Sequence, residues 1–459
     1  MRGQSGVCLT VNKRNKRYPL FAKVGFAYIF FFSAIVAAKW ILIFSYGSHL
    51  PYWDQWDAEA AFLYRPFLLG ELDFLDLVST HNEHRIFTQR VFALSLFVIN
   101  GDTWDPMLQM LSNALVHAFS MLILLHYLKP VVASKYHRYL YFLMLSMILV
   151  PFGWKNMLGG FQGQFYFLLL FSFVFIQLMA ESKFKEITWW LGLVCGILAA
   201  LSMASGAITL LSGVIVILAK TFQSRVKTKE QVISAALVFS VAITAIVLTP
   251  HVPGHSGLKA EGPLQIIEAA LVVFSWPMVH FPAAAFVLYA PTTLFCYLIL
   301  SSRELCKTEY LFYIGASAWV VGQLLTISYG RANAVLLSPR YFDIFVIGVI
   351  LNATACFGLI SICKLRKRLV INMIVIWSIS AAIGLCIAVL ELPIVMQSKS
   401  DMSSVQEDNV SGYLCTSDVS YLENKRRMEI PYPSAPRLKK LLDDPTIVKF
   451  LPPQLYECD

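Results

Sequence analysis

The sequence predicts an all-α polytopic membrane protein with about eleven transmembrane helices. Three observations carry that prediction. The chain of 459 residues is 57% hydrophobic, only 14% charged, and has a mean hydropathy of +0.63, whereas a soluble protein carries roughly 25% charged residues. Apolar runs of roughly the 20 residues needed to cross a bilayer recur along most of its length. Basic residues gather in alternate connections, the asymmetry expected of cytoplasmic loops. The net charge of +9 is accounted for by those loops, so nucleic acid is not an expected partner.

The N-terminus, residues 1–20 (MRGQSGVCLTVNKRNKRYPL), is basic. An apolar run over 21–45 follows without a small-residue cleavage site, so it reads as an uncleaved anchor with a cytoplasmic start. Further spans are expected at 107–128, 138–153, 165–181, 187–203, 206–220, 231–249, 279–300, 310–328, 342–363 and 369–391. Residues 187–220 also suit one bent element in place of a hairpin turned at Ser202–Gly206. Segment 86–99 is apolar but short and carries Arg90.

Charge decides how 86–99 lies. If it does not cross, one set of loops holds Lys129, Lys135, Arg138, Lys183, Lys185, Lys220, Arg225, Lys227, Lys229, Arg303, Lys307, Lys364, Arg366, Lys367 and Arg368, on the side of the basic N-terminus. The opposite set, after the first loop, holds only Lys155, Lys259, Arg331 and Arg340. Segment 86–99 is therefore an amphipathic juxtamembrane helix. The transmembrane domain spans 21–392, and its first loop (46–106) and a small C-terminal tail (393–459) are external. The tail holds one short helix near 436–443 and is too small for a core of its own unless it is stapled or packs on the external loops.

Nine cysteines follow no metal spacing. Cys195, Cys296, Cys356 and Cys386 sit in apolar runs, where cysteine acts as a small hydrophobe. Cys415 and Cys458 lie in the polar tail and can pair if it is outside the cytoplasm.

Ionisable chemistry concentrates in residues 51–85, PYWDQWDAEAAFLYRPFLLGELDFLDLVSTHNEHR. Asp54 or Asp57 is the expected general base for an incoming hydroxyl, or a hard ligand for Mg or Mn. Equally, one of them caps a helix over Ala58 to Leu69. HNEHR (81–85) sits at the start of the 86–99 helix, where two histidines three apart share a face. With no third ligand at motif distance, zinc is a poor reading. Substrate positioning by His81, His84, Glu59 and Tyr341 suits the segment better, with Arg85 as an anion contact. The plain alternative is a capping cluster at the interface.

Arg331 and Arg340, in YGRANAVLLSPRY (329–341), run against the positive-inside trend. Phosphate is their expected partner, because guanidinium binds it with two parallel hydrogen bonds. A headgroup or carboxylate contact is the plain alternative. Trp154, Lys155, Asn156, Gln162 and Gln164 form another polar turn on that side, read as ordinary loop or as a second wall of the same cleft. The Gly/Pro-rich loop 250–265, with His251, His255 and Lys259, is a candidate lid.

The order of these features resembles the GT-C glycosyltransferases, which include protein O-mannosyltransferases and lipid A aminoarabinose transferases. That family carries an Asp, often Asp-Glu, in its first external loop, and later a His-Pro-Pro motif followed by a basic residue. The Asp57 segment resembles the first element, LLGELDF (68–74) sits where a Gly-aromatic turn is common, and HNEHR resembles the second element through His81 and Arg85. Asn82 and Glu83 replace the prolines, while Asp54 precedes Gln55 and Asp57 precedes Ala58, so the equivalent aspartate stays open.

The resemblance implies an inverting integral membrane glycosyltransferase in the bacterial inner membrane, working on the periplasmic or external side. Its donor would be a polyprenyl-phosphate-linked sugar and its acceptor a cell-envelope glycan, lipid or protein. Asp57 or Asp54 would be catalytic, and Arg85, Arg331 and Arg340 would hold the donor phosphate. The alternative is a transporter or flippase for such precursors, which would place ionisable groups deep inside spans. Few are evident, since charge gathers at the external ends.

Overall fold

The computed structural model describes residues 25–224, 229–302, 305, 307–362 and 367–456. Helix α1 (Phe26–Tyr46) leads into the first loop. There a wide-turned helical segment, Trp56–Tyr64, runs into α2 (Arg65–Leu68) and then α3 (Phe74–Leu77). A two-residue hairpin follows, β1 (Thr80–His81) against β2 (His84–Arg85), and then α4 (Phe87–Ile99). The bundle continues through α5 (Pro106–Leu128), α6 (His137–Leu149), α7 (Trp154–Met157), α8 (Gly163–Glu181), α9 (Ile187–Ala200), α10 (Ala207–Ser224) and α11 (Lys229–Val247). It closes with α12 (Pro263–Phe274), α13 (Ala284–Ser301), α14 (Thr308–Gly330), α15 (Phe342–Ile362) and α16 (Lys367–Thr416). Two short helices, α17 (Ala435–Leu442) and α18 (Pro445–Val448), finish the described chain.

Among the described residues, nine helices are long and apolar enough to cross a membrane. The architecture is that of an all-α polytopic membrane protein. The apolar runs over 138–153 and 187–203 give shorter helices than the sequence suggested, 13 residues in α6 and 14 in α9. Both still carry the chain from one end of the bundle to the other. After α6, Gly160 returns to Gln109 and Asn113 in the first turns of α5. After α9, Leu201 and Ser202 return to Phe87 and Thr88 of α4. Residues 187–220 are thus two helices, not one bent element.

Local chemistry explains the ends. Asp105 Oδ1 accepts the Met107 N–H at 2.8 Å and Pro106 opens α5, a side-chain cap with the proline where no N–H is needed. Ser434 and Asp444 cap α17 and α18 in the same manner. The expected cap at Asp54 or Asp57 is not made, because the Trp56–Tyr64 segment starts without a side-chain cap.

There are two main cores. The larger one fills the bundle with Phe173, Phe295, Phe312, Trp319 and Ile347 among many others. The second lies at the end where α1 stops and α5 starts, called the loop end below. Helix α16 is 50 residues long, about 75 Å at 1.5 Å per residue, more than twice a bilayer's hydrocarbon thickness. Its last turns bring Val410 and Tyr413 onto the first loop. The tail from 393 therefore begins as a continuation of a span, not as a loose segment. Leu438, Leu442, Ile447 and Phe450 complete this core around Trp56, Tyr64, Phe97 and Trp104. Tyr64 stacks on Phe97 at 4.3 Å between centroids, and Phe450 meets Phe97 edge-on at 5.6 Å. Backbone bonds tie the two segments as well, from Trp53 N to Pro431 O and from Trp104 N to Phe450 O, both 2.7 Å.

Candidate functional site

The first loop reaches the bundle through a cage of amides. Glu59, 1% exposed, accepts from Gln55 Nε2 at 2.9 Å, Gln109 Nε2 at 3.2 Å and Gln89 Nε2 at 3.3 Å. Gln109 also donates to Tyr64 Oη at 2.9 Å. Burial raises the Glu59 carboxyl and the amide hydrogen bonds oppose that rise. Gly160 and Gly163 close the cage: a Cβ on Gly160 would lie 2.4 Å from Gln109 Oε1, and one on Gly163 2.3 Å from Asn113 Oδ1. Glu59 therefore organises the loop from beneath and does not face the surface as a substrate-positioning group would.

The two aspartates part company. Asp57 Oδ1 accepts from Arg437 Nη2 at 2.6 Å and Nε at 3.1 Å, while Tyr432 Oη donates a short bond to Oδ2. All its acceptor strength goes into holding the tail. Asp54 is about one-third exposed and its Oδ1 lies 3.7 Å from His81 Nε2. The His81 ring sits edge-on to Phe161 at 5.5 Å.

The HNEHR segment is a hairpin, not the start of a helix. Asn82 takes the left-handed turn at φ 51°, and His81 pairs with His84 while Thr80 pairs with Arg85. Side chains alternate across a strand, so the two histidines share one face and Arg85 lies on the other. Arg85 donates to Val78 O at 3.0 Å and Leu248 O at 3.3 Å, pinning the hairpin to the end of α11. His84 Nδ1 receives the Ala204 N–H at 3.3 Å. Burial, with Arg331, His81 and Arg340 nearby, pushes the His84 imidazole down to about 4 against the pull of Glu83. It is neutral at neutral pH and works as a structural acceptor.

Glu83 gathers the loop that read as a lid. His255 Nδ1 lies 2.7 Å from Glu83 Oε1 and Arg331 Nη1 lies 4.0 Å from it. Burial alone would raise the Glu83 carboxyl, but the His255 bond and the surrounding positive charge outweigh it and hold the group low. Backbone bonds from Ala260 N to Tyr329 O and from Asn333 N to Leu258 O fasten the same loop. Tyr341, 8% exposed, accepts from Arg331 Nε at 3.3 Å and so orients Arg331.

Arg340 is different. Among the described residues its guanidinium has no hydrogen-bond or ion-pair partner, and it is half-buried. Its backbone is fixed by the buried Asn156, whose Nδ2 donates to Arg340 O at 2.8 Å and to Asp343 Oδ2 at 2.7 Å. Lys155 stands beside it, its Nζ 5.4 Å from the Trp154 ring centroid, and makes no ion pair among the described residues. Burial lowers the Lys155 amine and the charge of Arg340 lowers it further. Burial raises the Tyr52 phenol, Arg340 and Arg427 pull it back, and Asp54 adds to the rise. Tyr52 therefore lies within electrostatic reach of Arg340 and Asp54 together.

The structure thus brings Asp54, His81, Arg331, Arg340 and Lys155 to one end of the bundle and sets Asp57, Glu59, His84 and Arg85 in its framework. Sequence reading missed Tyr52, Lys399, Arg427, Tyr432 and Arg437. Lys399 lies over the Tyr52 ring at 5.4 Å and Arg427 over Trp53 at 5.0 Å. Both come from the tail side, and only the positive φ of Trp53, 57° in a non-glycine residue, marks the spot locally.

Among the described residues no group of three or more His, Cys, Asp or Glu is placed to hold a metal ion. Asp57 faces Arg437 while Asp54 faces His81, so the pair does not form the oxygen donor set that Mg or Mn requires. Cys415 is disulfide-bonded, while Cys458 lies outside the described residues.

Among the described residues several largely apolar grooves flank the bundle. One of about 290 Å3 runs between Trp154, Trp276, Phe342, Ile383 and Ile387, with His280 and Glu391 also on its wall. Its wall includes the sequence neighbours of both Lys155 and Arg340. Ile383 and Ile387 are exposed, so it opens sideways. A larger one, about 830 Å3, lies among α12, α13 and α16 and carries no charged group. Comparison with protein-family models, with curated proteins and with solved structures finds no match to this chain.

Proposed function

We propose that the chain is an inverting integral membrane glycosyltransferase. It takes a sugar from a polyprenyl-phosphate donor and passes it to a cell-envelope glycan, lipid or protein on the external face of the inner membrane. The observation that carries this reading is the proximity of half-buried Arg340 and exposed Lys155, two cations without a carboxylate partner among the described residues, beside a groove open sideways. A lipid phosphate supplies the missing charge and the apolar chain together. In this reading α6 and α9 cross along with the nine long helices, and the charge asymmetry then favours basic loops inside and the loop end outside.

In this reading the acceptor hydroxyl gives its proton to Asp54 as its oxygen attacks the anomeric carbon from the face opposite the phosphate. The bond from that carbon to the phosphate oxygen breaks, and the new glycosidic bond forms with inversion. Arg340 and Lys155 stabilise the charge that grows on the departing phosphate. His81 orients Asp54. Arg331, held by Tyr341 and Glu83, keeps the local field positive. The test is sugar transfer by the purified protein in nanodiscs from labelled polyprenyl-phosphate sugars to envelope extract. Wild type transfers label and Asp54→Asn does not. Equal transfer by both overturns the assignment.

A second reading, as a flippase or transporter, draws on one observation. Contrary to the expectation that spans hold little charge, Lys39, His117 and Asp343 line one small buried cavity among α1, α5 and α15. Lipid-linked sugar translocation without any transfer product favours it.

A further inference from the structure

We propose a second lipid site at the opposite end of the bundle, which takes an anionic glycerophospholipid. Helices α1, α5 and α6 enclose a groove of about 380 Å3. Its walls are apolar and aromatic, with Phe26, Tyr28, Leu125, Tyr141 and Phe142. Phe26 is 82% exposed and Phe142 63%, so the groove faces outward from the bundle. Tyr141 Oη donates to Ala27 O at 2.8 Å and holds the first turn of α1 against α6. The groove is therefore a feature of the packed bundle and not a frayed helix end.

Its basic lining selects the occupant. Lys129 and Arg138 both border the groove. Lys129 Nζ lies 5.4 Å from the Tyr28 ring centroid, directed over an apolar wall. Among the described residues neither has a carboxylate partner. A pair of unneutralised cations at the rim of an aromatic groove matches a phosphodiester headgroup over acyl chains, the arrangement by which basic pockets between membrane helices hold anionic lipids. A zwitterionic lipid offers the same chains but brings its own cation, so charge complementarity favours phosphatidylglycerol-like headgroups. Neither residue belongs to the loop-end site, and the inference does not depend on the proposed reaction.

The experiment uses the full chain in nanodiscs of phosphatidylcholine with phosphatidylglycerol added in steps. Lipids retained by the protein are counted by native mass spectrometry, and melting is followed in parallel. Wild type is expected to keep at least one phosphatidylglycerol through delipidation and to melt higher as that lipid is added. The Lys129→Gln, Arg138→Gln double variant is expected to lose that retained lipid at least tenfold more readily and to lose the melting shift. Equal retention of both lipids by wild type, or an unchanged shift in the double variant, overturns the site. If the double variant does not fold, Lys129→Gln alone and the wild-type melting shift decide the matter. Absence of any phosphatidylglycerol-dependent shift in wild type then counts against it.

Discussion

Asp57 and Arg437 are joined side chain to side chain across 380 residues, with Arg437 Nη2 2.6 Å from Asp57 Oδ1. The pair fastens the C-terminal tail to the first loop, and Tyr432 seals it from the other carboxylate oxygen. A charge-assisted hydrogen bond of this kind is worth about 1.5–3 kcal/mol; partial exposure puts this one at the lower end. Arg437→Ala is expected to lower the melting temperature in detergent by several degrees and to speed proteolysis of the tail. No change in either would mean that the aromatic core alone holds the tail.

The division between the aspartates has a functional consequence. Asp54→Asn is expected to reduce turnover by about 10²–10⁴-fold, the usual contribution of a general base, with normal melting. Asp57→Asn is expected to show the reverse, lower stability with turnover per folded molecule largely kept. Kinetics and melting on the same preparations separate the two, and the opposite pattern would return the base to Asp57.

His49 and Asp105 make stability depend on pH at both ends of one window. The hydrogen bond to Asp105 raises His49 above 6.5, against burial. For Asp105, burial would raise the carboxyl, but the His49 bond and charge and the Met107 amide hold it below 3.8. The raised histidine contributes fully below its unfolded value, and that part is lost as pH rises through its folded value. The depressed aspartate contributes above its unfolded value, and that part is lost as pH falls through its folded value. The pair thus supports the fold most between the two. Melting of wild type against His49→Gln should differ most near pH 5–6, about midway between the two reference values, and converge as pH rises through the raised His49 value. A constant difference across pH would show that the ion pair plays no part.

Orientation is open to direct chemistry. Cys415 is disulfide-bonded near the end of α16. In intact cells an impermeant thiol reagent should label it only after an impermeant reductant has been added. Labelling that needs permeabilised cells would place the loop end in the cytoplasm.

Hydropathy made most helices legible, because a backbone in lipid must satisfy its own hydrogen bonds and needs a long apolar run to do so. It was less informative about length. Helix α16 runs on to Thr416 through QSKSDMSSVQEDNV, a polar stretch that reads as a tail although it stays helical to meet the first loop. Spacing misled at HNEHR, where the left-handed turn at Asn82 makes a hairpin and sends Arg85 away from the histidines. Arg340 stood out in sequence because it opposes the charge asymmetry. The role of Asp57 did not, since its partners Tyr432 and Arg437 come from the far end of the chain.

The most direct test of the account is affinity for an isoprenoid monophosphate against the matching isoprenol, measured in nanodiscs with wild type, Arg340→Ala, Lys155→Ala, Arg85→Ala and the Arg340/Lys155 double variant. The account predicts a strong preference of wild type for the phosphate and a loss of about tenfold or more on Arg340→Ala, in line with a charge-assisted contact. The Arg340 and Lys155 losses should combine non-additively, because both grip one group. Arg85→Ala should leave the preference intact. Equal affinity for phosphate and alcohol, or a preference untouched by Arg340→Ala, would contradict the lipid-phosphate site at the loop end.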